Sequence, residues 1–497
     1  MTLPQFEEIH VVSDLHMGGK TGFQILRETQ RLAAFIRWVA KQRPDDRVAL
    51  ILNGDVIDTL AEDSGGYIAV DKAENIVRRI MGDPSFSTVW DALADLVKTE
   101  RRTLIILIGN HDLELSFPVA QRTILERLAG DNAIYRARIE FSCMGAGYSC
   151  LVGGSRVFCT HGNEVDAWNY VRYENLAKAA RRLNAGRSLK ASEWEPNAGT
   201  KMVKDVMNVV KTDYPWIDLL KPEMKAAVGV LLALDPGQIS KIDKLLPVIG
   251  EKVEGSMEVD QRLSADGFNT PSKNRLRPAT VDNLLGPSLT KGLRHGSGSN
   301  IPTADAMLLA AEQEYKTGSA ATDSHDETLG TPQYIWDRLT SWFTGITKAE
   351  ALRRALTDWL KDDRTFAITD RDDTYKEVIK TVGPDIHFII TGHTHLERAI
   401  DIGGGRFYFN CGTWIRLLSF TENMLKNEDS FNPVFNLLKN CTMDDIDKAS
   451  FSDAPFVLDQ NSAVCISAEN GKVTGRLVHI VKDGDSVAQK TIKQFQR

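Results

Sequence analysis

The chain has few cysteines for its length and no long apolar run. Six cysteines occur in 497 residues, and none forms a Cys-x-x-Cys pair, which argues against a disulfide framework. The best candidate for a membrane span, AAVGVLLAL at 226–234, is far shorter than the ~20 residues that a spanning helix needs. The N-terminal residues also lack a basic segment followed by an apolar one. We therefore expect a cytoplasmic protein with reduced thiols and no transmembrane segment.

Neither sign of charge dominates the composition. Lys and Arg number 60 and Asp and Glu 67, which gives a net charge of −7. This mild acidity argues against a chain whose main task is to coat nucleic acid or an anionic membrane. It does not exclude a local basic groove. Hydrophobic residues make up 42%, as in ordinary globular proteins. The length predicts several domains, or one domain with a large insertion.

Strand and helix signals alternate at both ends of the chain and predict an α/β fold with a largely parallel sheet. Short apolar runs precede polar residues at 8–14, 47–55, 102–112, 156–164 and 385–395, and helical spacing runs through 23–43. Asn470-Gly471 predicts a hairpin between two late strands. We predict a catalytic domain formed by 1–165 plus 380–497, interrupted by a mostly helical insertion at 166–379. The insertion contains long loops at 255–302 and 317–332 and should cap the site.

Each of the five apolar runs ends in residues that favour metals. The blocks are Asp14-x-His16, Asn53-Gly54-Asp55-x-x-Asp58, Gly109-Asn110-His111-Asp112, His161-Gly162 and Gly392-His393-Thr394-His395. Ligand sites in open α/β sheets lie at the carboxyl ends of the strands, and glycines let the backbone turn there. Any one block is more simply a turn, a helix cap or a polar pair. Five in succession make that interpretation improbable, whereas the other five histidines of the chain look like ordinary strand or loop residues.

The donor types in these blocks predict the chemistry of the site. Carboxylate, amide and imidazole donors without thiolate suit Mn²⁺, Fe or Zn²⁺. The donors are too many for one ion. Two ions about 3.5–4 Å apart, bridged by a carboxylate, are a known arrangement for displacement at phosphorus.

The same blocks resemble the signature of the calcineurin-like metallophosphoesterase superfamily. That resemblance implies a β-sandwich flanked by helices and two divalent cations, for which Mn²⁺ is our first expectation. It implies that Asp14, His16 and His395 bind one ion, that Asn110, His161 and His393 bind the other, and that Asp55 bridges them. His111 would act as the general acid, oriented by Asp58. The implied activity is hydrolysis of a phosphodiester or pyrophosphate by a metal-bridged hydroxide.

Three stretches, SDLHMGG, GNHD and THGNEVD, are most similar to UDP-2,3-diacylglucosamine hydrolases, which implies a small-molecule or lipid-linked substrate. The insertion here is much larger than in those enzymes. Arg172, Arg181 and Arg182 can reach a substrate phosphate, or they form the solvated face of a helix. The apolar segment around 226–234 can line an acyl pocket, or it is a core helix.

Two alternatives use the same blocks differently. A nuclease or cyclic-nucleotide phosphodiesterase would share them, but the chain has no basic run with interleaved aromatic residues. A non-catalytic interaction scaffold is a remote alternative, because such proteins typically lose metal ligands and this chain keeps the full set.

Overall fold

A computed structural model describes residues 3–190, 193–220, 347–360, 366–451, 454–484 and 486–497. The predicted loops at 255–302 and 317–332, and the apolar segment at 226–234, lie outside the described residues. The predicted fold class is confirmed, because two large β-sheets face each other and helices cover their outer faces.

The first sheet has seven strands, and the four strands at one end of its spatial order are parallel to one another. In spatial order they are β17 (Ser486–Gln496), β16 (Lys472–Asp483), β15 (Ser462–Glu469), β2 (Glu8–Val12), β3 (Val48–Asn53), β4 (Arg102–Leu107) and β5 (Ile139–Ser142). The strands from β2 to β5 run parallel, while β15, β16 and β17 pair antiparallel. The predicted hairpin is present between β15 and β16, where Asn470 and Gly471 have φ values of 51° and 76°.

The second sheet has six strands of mixed direction. In spatial order they are β1 (Gln5–Phe6), β6 (Tyr148–Val152), β7 (Ser155–Cys159), β8 (Phe388–Thr391), β10 (Arg406–Cys411) and β9 (Glu397–Gly403). The expectation of a largely parallel sheet therefore holds for the strands from β2 to β5 and fails at the antiparallel pairs of both sheets. Short turns join β6 to β7 and β9 to β10, and such turns can only connect antiparallel neighbours. Two short ladders pair β11 (Leu417–Leu418) with β14 (Val457–Leu458), and β12 (Ser450–Phe451) with β13 (Ala454–Pro455).

Apolar residues fill the space between the two sheets. Ile9, Ile51 and Ile105 on the first sheet pack with Phe388 and Phe409 on the second, and all are at most 1% exposed. Each of these strands is buried on both faces, which explains why their sequences are continuous apolar runs.

Helices cover the outer faces of both sheets. The helices before the insertion are α1 (Thr29–Lys41), α2 (Ala73–Gly82), α3 (Ser87–Lys98), α4 (Pro118–Ala129) and α5 (Ala133–Arg136). The first helix begins six residues later than predicted, because Leu26 forms a β-bridge with Ile415 instead. α10 (Asp373–Thr381) packs on the second sheet through Tyr375.

The described parts of the predicted insertion are helical. They comprise α6 (Tyr173–Asn184), α7 (Ala198–Lys201), a π-helical turn (Met202–Met207), α8 (Asn208–Val210) and α9 (Lys348–Leu360). Leu176 and Ala180 of α6 pack in the core between the first sheet and its helices. The other segments share a core with three C-terminal helices, α11 (Glu422–Leu425), α12 (Glu428–Lys439) and α13 (Met443–Lys448). Trp216 is fully buried in that core, and its Nε1 donates to the Leu438 carbonyl at 2.7 Å. The domain boundaries at 165 and 380 stay a prediction.

Two further expectations concern the cysteines and the membrane. All six cysteines are free, and five of them are buried. Within the described ranges, no helix is both long enough and apolar enough to cross a bilayer.

Candidate active site

The five predicted blocks meet at one edge of the molecule, where strands of both sheets end. Asp14, Asp55 and Asn110 follow β2, β3 and β4 of the first sheet, while His161 and His393 follow β7 and β8 of the second. The site therefore lies across the carboxyl ends of two facing sheets and not along one sheet.

Five of the site residues have a backbone conformation that side chains rarely adopt. Asp14, His16, Asp55, His393 and His395 have φ values of 56°, 46°, 50°, 70° and 60°. Such left-handed residues cost about 1–3 kcal/mol each and persist only where surrounding contacts enforce them. Backbone hydrogen bonds provide that constraint here, for instance from His16 N to the Asp55 carbonyl at 2.9 Å.

Asp14, His16 and His395 form one group of donor atoms. His395 Nε2 lies 3.3 Å from Asp14 Oδ1 and 3.2 Å from His16 Nε2. The other Asp14 oxygen accepts from His393 N at 3.0 Å, so Oδ1 is the oxygen that faces the histidines. All three residues are buried, and their donor atoms lie within 4.8 Å of one another.

Asp55, His161 and His393 form a second group, and their donor atoms also lie within 4.8 Å of one another. Asn110 is 4% exposed and lies at the end of the neighbouring strand. Its Nδ2 donates to Asn169 Oδ1 at 3.4 Å, which leaves Oδ1 as the amide atom for a ligand.

Asp55 joins the two groups through a single oxygen. Its Oδ2 lies 3.6 Å from His16 Nε2 and 3.1 Å from His161 Nε2. Its Oδ1 accepts from His111 N at 2.8 Å. Burial alone would raise the pKa of Asp55, but the charges of His161, His111 and His16 hold that pKa well below its usual range.

Three buried atoms fit the coordination of cations. Asp14 Oδ1, Asn110 Oδ1 and His161 Nε2 are buried without a hydrogen-bond partner, which is costly unless a ligand satisfies them. His161 Nδ1 lies 2.8 Å from the Asn53 carbonyl, which can only accept, so Nδ1 carries a proton and Nε2 is the atom that faces Asp55. Burial opposes a proton there, yet Asp55 raises the pKa of His161 to about 10. The donor set thus calls for positive charge and suits oxygen- and nitrogen-binding divalent ions.

His111 and Asp58 form a pair that adjoins these groups, because His111 offers a ring nitrogen within 4.8 Å of His16 and Asp55, and Asp58 Oδ2 lies 3.6 Å from His16 Nδ1. His111 Nδ1 lies 3.2 Å from Asp58 Oδ1, and the side chain of His111 is 13% exposed. Burial would raise the pKa of Asp58, but His111 and His16 hold it well below its usual value. Asp58 therefore stays ionised beside the imidazole.

Two glycines are needed for the close packing of the blocks. A Cβ on Gly109 would lie 2.1 Å from Asp55 Oδ1, and one on Gly54 would lie 2.4 Å from His161 Nδ1. Gly54 also has a φ of 84°. Only glycine fits either position without displacing a site residue.

Segments of the predicted insertion line the pocket next to His111. Val203, Asn208, Lys211 and Asp218 line this pocket together with Asp58. Lys211 Nζ pairs with Asp218 within this lining. The predicted substrate contacts lie on α6 or beside it. Arg172 pairs with Glu195 at 3.2 Å, Arg182 pairs with Glu193 at 3.1 Å, and Arg181 is exposed.

Sequence reasoning assigned no role to three polar residues that contact the site, although Asp112 stands in one of the predicted blocks. Asp166 Oδ2 lies 2.8 Å from His393 Nε2, and Asn169 contacts Asn110. Both follow His161 within eight positions, and Asp166 is the last residue of the stretch THGNEVD. Asp112 accepts from the backbone N–H groups of Gly109 and Val56. Burial and the nearby Asp55 charge raise the pKa of Asp112 to about 7.

The comparison with known families agrees with this geometry. Residues 8–217 match the family model described as calcineurin-like phosphoesterase. No curated protein matches the chain significantly. Members of the matched family usually bind two divalent metals. The match supports the metallophosphoesterase superfamily for this chain and indicates that it is a metal-dependent phosphoric ester hydrolase.

Proposed function

We propose that the chain hydrolyses a phosphodiester or pyrophosphate bond with two divalent ions. Asp14, His16 and His395 would hold the first ion. Asn110, His161 and His393 would hold the second, and Asp55 would contribute to both. One observation carries this proposal: a single Asp55 oxygen contacts one imidazole of each group. When bound, the ions would lower the pKa of a water molecule and offset charge on the phosphoryl oxygens.

We propose His111 as the general acid and Asp58 as its positioning residue. The Asp58 carboxylate accepts from Nδ1 of His111, which fixes the ring and leaves Nε2 to deliver a proton to the leaving oxygen. The same carboxylate stabilises the charged imidazolium. The backbone bond from His111 N to Asp55 fixes the distance between this acid and the Asp55 carboxylate.

We infer that the leaving group departs on the side of His111. Asn208 and Lys211 of the insertion line the narrow pocket there, so they would lie close to the leaving oxygen. Arg172 and Arg181 remain proposed contacts for a distal phosphate of a small-molecule or lipid-linked substrate. We further propose Mn²⁺ as the ion, with Fe or Zn²⁺ as alternatives, and a cytoplasmic location, on account of the six free thiols.

A Mn²⁺-supplemented activity screen tests this function. It compares bis-p-nitrophenyl phosphate and a UDP-diphosphate lipid with p-nitrophenyl phosphate and single-stranded DNA. We expect hydrolysis of the diester or the pyrophosphate, together with two metal ions per chain by elemental analysis. Preferred cleavage of DNA would favour a nuclease. Absence of stoichiometric metal would favour a scaffold and would contradict the proposal.

A further inference from the structure

Asp166 lies at the start of the predicted insertion and contacts a proposed metal ligand. Its Oδ2 accepts from His393 Nε2 at 2.8 Å and from Asn169 Nδ2 at 2.7 Å, and its Oδ1 accepts from Trp168 N at 2.9 Å. Because a carboxylate only accepts, Nε2 of His393 carries the proton, and Nδ1 keeps the lone pair that a cation needs.

Asn169 contacts a second proposed ligand of the same ion. Its Oδ1 accepts from Asn110 Nδ2, so the Asn110 amide cannot turn its nitrogen toward a cation without losing this bond. Asn169 is itself oriented through its Nδ2 bond to Asp166. One carboxylate and one amide thus orient two ligands that come from different sheets.

Gly199 in α7 leaves room for this arrangement. A Cβ at Gly199 would lie 1.9 Å from Asn169 Oδ1, and the Gly199 N–H donates to the Trp168 carbonyl at 2.7 Å. A second segment of the insertion therefore packs directly on the Asp166–Asn169 pair.

We propose that Asp166 and Asn169 are positioning residues for the second metal ion. Asp166 sets the tautomer of His393, and Asn169 sets the orientation of the Asn110 amide. This inference depends on the ligand assignment under the proposed function. Partners of metal ligands typically change metal affinity by roughly 10–100-fold when they are removed. The hydrogen bonds of the Asp166 and Asn169 side chains reach no proposed ligand of the first ion, and His393 contacts that group through its backbone N–H, which donates to Asp14.

Titration of the metal-free, full-length protein with Mn²⁺ in a calorimeter tests the proposal. We expect two binding steps in the unmodified protein. Asp166→Ala should weaken one step by roughly 10–100-fold and leave the other within about threefold. Asp166→Asn keeps an acceptor for His393 and should retain part of the lost affinity. Asn169→Ala and Gly199→Ala should weaken the same step. Glu193→Gln, which removes an insertion carboxylate that accepts from Arg182 and from the backbone N–H of Lys190, is the matched control.

Two further measurements separate positioning from a structural role. The thermal midpoint of the metal-free Asp166→Ala protein should equal that of the unmodified protein, and the visible spectrum of bound Co²⁺ should change for one ion only. Equal weakening of both steps with a lowered midpoint would overturn the inference, as would two unchanged steps. A single step in the unmodified protein would instead contradict the proposed two-ion function.

Discussion

His16 and His395 are 379 positions apart in the chain, yet their Nε2 atoms lie 3.2 Å apart. Two neutral imidazole nitrogens at this distance need a proton or a cation between them or beside them. Asp14 and Asp55 lie within 4 Å of the same His16 nitrogen and add negative charge. The pair of histidines therefore forms part of a site that is stabilised by positive charge.

Asp55→Asn should abolish or greatly weaken the binding of both ions. A neutral amide cannot balance two cations, and its nitrogen would face His16 or His161 in place of an oxygen. Metal content after dialysis, measured by elemental analysis, tests this. Asp131→Asn is a suitable control, because its carboxylate is fully exposed. Two ions per chain with unchanged affinity would show that Asp55 is misassigned.

His111→Ala should retain both ions and lose roughly 10²–10⁴-fold in turnover, the usual scale for a general acid. The loss should shrink for a p-nitrophenyl ester, because p-nitrophenolate leaves without a proton. The measurement compares kcat for p-nitrophenyl and alkyl esters of the same phosphate. Equal losses for the two esters would exclude the acid role, and lost metal would assign His111 to the ligands.

Gly109→Ala should disturb the centre without removing any donor atom. The new Cβ would clash with Asp55 Oδ1 and with the Asp55 backbone nitrogen, and a misplacement of about 1 Å can cost roughly 10²-fold in rate. Gly82→Ala at the end of α2 is the control, because a Cβ there has no atom within 4 Å. Steady-state kinetics and metal content should fall for the first variant only. Similar activity for both variants would mean that the loop around Asp55 accommodates the added methyl group without loss of function.

His10 should make the protein less stable as the pH rises above neutrality. Burial opposes its charge, but Cys465 and Glu8 raise the pKa of His10 to about 9, and Glu8 Oε1 lies 2.6 Å from Nε2. A raised pKa stabilises the folded state below the unfolded value of about 6.5, and this contribution is lost as the pH passes through 9. The free energy of unfolding of the metal-free protein, minus that of His10→Asn, should fall by about 3 kcal/mol between pH 6 and pH 9.5. A difference that is constant with pH would refute the shift.

The donor residues were predictable from the sequence because each follows a continuous apolar strand. Their left-handed backbone was not, since only tertiary contacts force aspartate and histidine into it. β17 was missed because its half-exposed, polar strand carries little apolar alternation. Asp166 and Asn169 were missed for a different reason. The sequence of a loop does not show whether its carboxylate faces solvent or a histidine 227 positions further along the chain.

This wide separation along the chain also determines when the centre can form during synthesis. At roughly 5–20 residues per second, about 10–45 s pass between the emergence of Asp166 and that of His393. During this interval β7 has no β8 to pair with, so the second sheet presents an open edge in the nascent chain. His16, Asp55, Asn110 and His161 are by then already synthesised, but the site still lacks His393 and His395. The nascent chain thus lacks a complete set of proposed ligands until about four-fifths of its residues have emerged, and its open edge can pair with other strands in that interval.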